Sequence, residues 1–344
     1  MQKSSYDTDY EYRVTHLRAG EIVDTYQETF RTRLPAGDDA PFTFAAYGDS
    51  QSRDPARLRA IHDQISQLDP AFALLLGDNA YNDGVHREFD VRLAPQLNPE
   101  AADWVAGHVD YFAFGNHDIR TDDGRASEEN YAVPIPVEGV TAPAALPAGE
   151  PAEHNYSFDY GNVHFLTFDT NSIEDPERLE GLLDWVEADL AASDARWKIV
   201  FAHRPIAPVP DKDVDPNVGS YQEISTTLIE AGVDLYLVGH SHTFQWSYPM
   251  VVGDDGQIGF VADTDKDYVQ GTGLIEVVAG VGGNSLRGGT FSEFPMTAAG
   301  YSTSTDPPSE NGFAQIDVTP TQLTVSYIAA DDGAVIDRFT VRAN

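Results

Sequence analysis

Apolar and polar positions change rhythm near residue 40. Before it, "YEYRVTHL" and "TYQETFRTRL" follow the two-residue alternation of strands, with "RAGE" as the turn between them and "PAGDDAP" as a linker. From Phe42 onward, short apolar runs alternate with amphipathic stretches, the pattern of an α/β protein. "FTFAAY" reads as a strand. Asp54 is placed to cap a helix with Pro55 in its first turn, and Leu58, Ile61, Ile65 and Leu68 recur at helical spacing. Strands are expected at "AFALLL", "DYFAF", "VHFLTF", "WKIVFA", "DLYLV" and "LIEVVAG", and helices at "PERLEGLLDWVEADLAAS" and "YQEISTTLIEAG". The last thirty residues predict three strands with turns at "TPTQ" and "DDGA". Long loops rich in Pro, Asp and Gly are expected at 119–155 and 204–220.

Two strands do not make a domain. Residues 1–40 are therefore read as an N-terminal β segment, a remnant resembling the last hairpin of a fibronectin-type or immunoglobulin-like sandwich whose upstream part has been lost or never existed in this chain. The alternative is that the hairpin simply packs on the rest of the chain. Residues 41–344 are expected to form the main domain.

Composition narrows the chemistry. With no cysteine, any metal must bind through N and O ligands. No stretch approaches the ~20 apolar residues of a membrane helix, and the first residues lack an apolar signal-peptide core. A formal charge of −35, from 56 acids against 21 bases, resembles the composition of proteins from salt-loving organisms, whose carboxylates stay hydrated while salt screens their repulsion. Such a field repels DNA and RNA, so no nucleic-acid partner is expected. Oligomeric state is not legible.

The apolar strands end on ligand-type residues. Asp49 follows in "GDS", Asp78 and Tyr81 in "GDNAY", Asn116 and His117 in "GNHD", His203 in "AHRP", and His240 and His242 in "GHSH". Strand carboxyl ends are where open α/β sheets bind ligands, so residues scattered over nearly 200 positions can converge. Each motif glycine is expected to let the backbone turn off its strand. Singly these signals are weak; together they fit a two-metal centre of imidazole and carboxylate ligands.

The order GD, GDxxY, GNHD, H and GHxH resembles the calcineurin-like metallophosphoesterase superfamily, and the tyrosine of GDxxY points within it to the purple acid phosphatases. "NYSFDYGNVHFLTFDT" and "GHSHTFQWSYP" agree. The resemblance covers about residues 42–344 and implies a two-sheet mixed β-sandwich flanked by helices. It implies that Asp49, Asp78, Tyr81 and His242 hold Fe3+, and that Asp78, Asn116, His203 and His240 hold Fe2+, Zn2+ or Mn2+, with Asp78 bridging. A hydroxide generated on the metals would attack the phosphorus of a small phosphate ester in line.

His117 is the natural donor to the leaving group or phosphate oxygens. Asp118, Asp83 and Asp169 are lesser candidates, read as supporting acids. His154 and His164 are read as structural, and Ser50 and Gln51 as pocket lining. Further histidines expected after the "AH" histidine are missing from "RPIAPVPDKDVDPNVGSY", where Arg204 and Lys212 are the stand-ins. That departure leaves open an all-divalent phosphodiesterase or nucleotide hydrolase of the same superfamily. A binding module that kept the fold without catalysis is the rival from another class. The resemblance also implies an extracellular or periplasmic location.

Overall fold

The parallel strands of this chain are largely apolar because both of their faces are covered. A computed structural model describes residues 5–50, 55–94, 96–132 and 146–344. It contains two seven-stranded sheets. The first runs, edge to edge, Asp267–Val269, Val335–Arg342, Gln322–Ala329, Gly312–Val318, Phe42–Tyr47, Ala73–Leu76 and Asp110–Ala113. The second runs Thr297–Tyr301, Phe244–Ser247, Ile275–Ala279, Leu235–Val238, Trp197–Phe201, Val163–Thr167 and Tyr156–Tyr160. Both are mixed. Phe42–Tyr47, Ala73–Leu76 and Asp110–Ala113 pair in parallel in the first sheet. Val163–Thr167, Trp197–Phe201, Leu235–Val238 and Ile275–Ala279 do so in the second.

One apolar core includes Phe44, Phe72, Phe165, Trp197, Phe244 and Tyr327, contributed largely by the two sheets. Phe72 stacks on Phe44 at 5.2 Å and meets Phe165 edge-on at 5.5 Å. Burying a ring of this size contributes about 2–3 kcal/mol. The helices Pro176–Ala192 and Gly219–Glu230 contribute Leu179, Val186, Ile224 and Leu228 to a second core with residues of the second sheet. Pro55–Leu68 and Pro99–Gly107 supply Leu58, Ile61, Ile65 and Trp104 to a third, against the first sheet. Leu74 and Leu75, adjacent in one strand, therefore enter different cores, and both are fully buried.

Phe42–Tyr47 and the helix after it form where the apolar spacing places them, although the expected Asp54 cap lies outside the described residues. Helices His86–Leu93 and Pro99–Gly107 were not legible from that spacing, because "HREFDVRL" has only a sparse apolar face. The second strand of the N-terminal hairpin is Glu21–Arg31, starting earlier and ending sooner than its sequence implied. Glu21 already pairs with Arg18 across a turn at Ala19 and Gly20, both with positive φ. The hairpin is a separate two-stranded sheet, and it rests on the helix Pro99–Gly107, where the Tyr12 hydroxyl donates to the Ala106 carbonyl at 2.8 Å.

Candidate metal centre

Five parallel strands end at one place, three from the first sheet and two from the second. Phe42–Tyr47 leads to Asp49, Ala73–Leu76 to Asp78 and Tyr81, and Asp110–Ala113 to Asn116 and His117. Trp197–Phe201 leads to His203, and Leu235–Val238 to His240 and His242. A sixth strand, Ile275–Ala279, contributes backbone only: Gly48 donates to the Ala279 carbonyl and Asn284 to that of Asp49. The glycine run after Ala279 was the sequence signal for it.

The motif glycines do not mainly serve as turns. Gly77 has positive φ, but Gly48, Gly115 and Gly239 do not; the left-handed residues are the candidate ligands Asp49 (φ 56°), Asp78 (52°) and His240 (68°). The glycines instead permit close approach. A Cβ at Gly115 would lie 2.2 Å from Asp78 Oδ1, and one at Gly239 would lie 2.7 Å from Asp49 Oδ2.

Asp78 faces two ways. Its Oδ1 lies 3.4 Å from His203 Nε2, and its Oδ2 accepts from the Tyr81 hydroxyl at 2.8 Å. On the first side, His203 Nδ1–H donates to the Leu76 carbonyl at 2.8 Å, which leaves its Nε2 lone pair pointing at Asn116 Oδ1 (3.2 Å) and His240 Nδ1 (3.1 Å). Asp78, His203 and His240 each offer a ligand atom within 4.8 Å of the others. On the second side, the Tyr81 oxygen is 2.7 Å from Asp49 Oδ1, and His242 Nε2 is 3.1 Å from the same oxygen. His242 Nδ1–H is held by the Ser285 carbonyl at 2.8 Å.

This donor set fits two cations. The phenol has one proton for two carboxylates, and the His203 cluster gathers four acceptor atoms around few protons. Burial, His203 and Lys212 push His240 down to about 2, so it presents a neutral lone pair. Burial would raise Asp49, but the adjacent His242 holds it well below the ordinary carboxylate range. Burial together with Asp49 and Asp78 lifts Tyr81 far above a normal phenol.

His117 stands over this centre. Its backbone N–H donates to Asp78 Oδ1 at 2.8 Å, its Nδ1–H to the Asn82 carbonyl at 2.8 Å, and its Nε2 is 3.9 Å from Asp78 Oδ2. Asp118 lies beneath, fully buried, accepting from the N–H groups of Asn79, Ala80 and Gly115 and from the Asn79 amide. Burial and Asp78 push it up to about 8, yet four donors on its two oxygens fit the carboxylate. Cations beside Asp78 would offset the second of these pressures.

The other candidates separate clearly. Asp83 is exposed, and its backbone makes its contacts. Asp169 pairs with Arg178 and caps the turn at Asn171, whose amide reaches the Phe114 carbonyl behind the site. His154 stacks on Phe114, and His164 lies between Asp159 and Asp189. Arg204 pairs with Glu174, while Lys212 acts on His240 through its charge. Ser50 is buried beside Asp49, and Gln51 lies outside the described residues. Arg120, which touches His117, was missed because a lone arginine after a motif carries no spacing signal.

The family described as calcineurin-like phosphoesterase matches residues 42–244. The chain belongs to that family. Residues 273–338 match a second description, iron/zinc purple acid phosphatase-like protein C. Among relatives of this calcineurin-like phosphoesterase, an acid phosphatase of Aspergillus ficuum is 26% identical over 245 residues, covering 69% of this chain and 37% of its own. Tartrate-resistant acid phosphatase type 5 of Sus scrofa is 23% identical, covering 81% and 78%. The chain spans about a third to just over half of the length of several relatives that it matches. A purple acid phosphatase from yellow lupin seeds shares the fold, with a TM-score of 0.78 at 18% identity over 99% of this chain and 60% of that one.

Proposed function

We propose that this calcineurin-like phosphoesterase hydrolyses small phosphoric esters at a dinuclear metal centre of the purple acid phosphatase type. One observation carries the reading: the two oxygens of Asp78 face separate clusters of N and O donors. Asp49, Asp78, Tyr81 and His242 would hold Fe3+, and Asp78, Asn116, His203 and His240 would hold Fe2+, Zn2+ or Mn2+. When bound, such a pair lowers the pKa of water, polarises the phosphoryl group and stabilises the leaving oxygen.

The chain's own groups prepare this. The carbonyls of Leu76 and Ser285 fix the His203 and His242 rings with Nε2 inward. Asp118 ties the Asp78 and Asn116 loops together, and His117 directs Nε2 over Asp78, where it would serve the leaving oxygen. One observation favours a second reading. The Tyr81 hydroxyl donates toward both Asp49 Oδ1 and Asp78 Oδ2, the contacts of a neutral phenol beside an all-divalent centre in which Tyr81 is only a hydrogen-bond donor.

Two further proposals rest on composition and kinship: the acidic surface is an adaptation to high salt, and the protein acts outside the cytoplasm. The hairpin Asp9–Arg31 is proposed to be the last hairpin of a β-sandwich resting on the main domain.

The decisive test is Asp78→Asn. It should lose metal and at least ~10³ in rate, about 4 kcal/mol of transition-state stabilisation. Near-normal turnover in the folded variant would sink the two-metal reading.

A further inference from the structure

The turn that carries His117 also carries a cation. Arg120 Nη1 donates to the Asn82 carbonyl at 3.0 Å, the same carbonyl that accepts from His117 Nδ1–H, and Arg120 Nη2 lies 3.3 Å from His117 Nε2. The turn is fixed in place. The Thr121 hydroxyl donates to the Asp83 carbonyl at 2.6 Å. Gly84, at φ +64°, brings the two loops so close that a Cβ there would lie 2.4 Å from the Asp118 carbonyl oxygen and 2.6 Å from that of His117.

Arg120 is exposed, and in a chain with 56 acids no carboxylate among the described residues pairs with it. Arg204, by contrast, has a carboxylate beside it, its Nη2 lying 3.3 Å from Glu174 Oε1. Arg120 has two engaged N–H groups out of a guanidinium's five, so part of its planar fork remains for an anion.

We propose that Arg120 binds substrate and selects phosphoric esters whose leaving group carries a second anionic group. This rests on the phosphoester-hydrolase reading. The argument is one of order in space. His117 Nε2 lies 3.9 Å from Asp78 Oδ2, and Arg120 Nη2 lies 3.3 Å from that Nε2. A phosphoryl group held by cations beside Asp78, with its leaving oxygen toward His117, would present the next group of the substrate to Arg120. A guanidinium is permanently charged and grips phosphate or carboxylate through two oxygens.

The test compares wild type with Arg120→Gln and Arg120→Lys on inorganic pyrophosphate, 2-phosphoglycolate and phenyl phosphate, with metal content checked. Calorimetry measures pyrophosphate binding alongside. Arg120→Gln should lower kcat/KM for pyrophosphate by about 10²-fold and for phenyl phosphate by about threefold, and weaken pyrophosphate binding at least about tenfold, with Lys in between. Losses for pyrophosphate and 2-phosphoglycolate alike would assign either anion as the second group; a loss for pyrophosphate without one for 2-phosphoglycolate would assign it as a phosphate.

Equal losses on all three substrates would overturn the proposal, since Arg120 would then act only by positioning His117. Equal affinity for pyrophosphate in wild type and Arg120→Gln would overturn it too. If wild type turns over no ester, the hydrolase reading fails, and binding alone decides: Arg120-dependent affinity upholds the anion site, and unchanged affinity rejects it.

Discussion

Adding a single methyl group at Gly115 should disrupt the centre without replacing a candidate ligand. A Cβ there would lie 2.1 Å from the Asp78 amide nitrogen, 2.2 Å from its Oδ1 and 2.9 Å from its Cα. Contacts below 3.0 Å are not tolerated, so the Asp78 backbone must retreat by about 0.9 Å. The retreat has no free direction. Asp78 Oδ1 accepts from His117, its Oδ2 accepts from Tyr81, and its carbonyl accepts from Ser50. A displacement of about 1 Å in a reacting constellation costs roughly 10²-fold in rate, and overpacking a buried site costs about 1–3 kcal/mol of stability. Gly115→Ala is therefore expected to bind less metal and to lose about 10² in kcat/KM. The control is Gly181→Ala, inside the helix Pro176–Ala192, where a Cβ meets Pro147 at an ordinary 3.4 Å. That change should stabilise the fold by up to about 1 kcal/mol, because alanine outranks glycine in helices. Metal analysis, melting curves and steady-state kinetics on both variants decide it. A Gly115→Ala protein with full metal content and wild-type kcat/KM would refute the close-approach argument.

Tyr81→Phe separates the two readings of the centre: if the phenolate binds Fe3+, the oxidised iron-loaded protein is coloured and the variant is not. A colourless iron-replete wild type rejects the tyrosinate reading. The charge of −35 predicts a melting midpoint that rises from dilute buffer to 2 M KCl, and a flat or falling midpoint rejects salt adaptation. Burial alone would depress His164, but its hydrogen bonds to Asp159 and Asp189 override that and raise it to about 9. Its raised folded-state pKa contributes stability that is complete below pH 6.5 and lost as pH rises through 9. His164→Gln should therefore remove up to about 3 kcal/mol of pH-dependent stability across that window, and an identical pH slope in the variant counts against it.

The candidate site was legible where it is local. An apolar run, a glycine and an acid or histidine sit together in "LLLGD" and "YLVGH", so Asp78 and His240 could be named before their neighbours were known. Arg120 had no such signal, since its meaning comes from a carbonyl 38 residues away. The short strands Phe244–Ser247 and Thr297–Tyr301 were equally hidden, because they are ordered by pairing, Phe244–Ser247 with Ile275–Ala279 and Thr297–Tyr301 with Phe244–Ser247, rather than by any alternation of their own.

The deeper gap concerns backbone strain. Asp49, Asp78 and His240 all sit at positive φ, a conformation that costs a non-glycine residue about 1–2 kcal/mol. Three such residues in one cluster hold several kcal/mol of strain, which persists only where the surroundings over-determine it. Those surroundings are tertiary. The Asp49 amide donates to the Gly77 carbonyl, the Asp78 carbonyl accepts from Ser50, and the His240 amide donates to Asp49 Oδ2 at 2.7 Å. Each strained residue is thus held by a neighbouring motif, and Asp49 and His240 hold each other across the junction of the two sheets. The candidate ligands are therefore positioned by hydrogen bonds between the strand-end motifs of the two sheets.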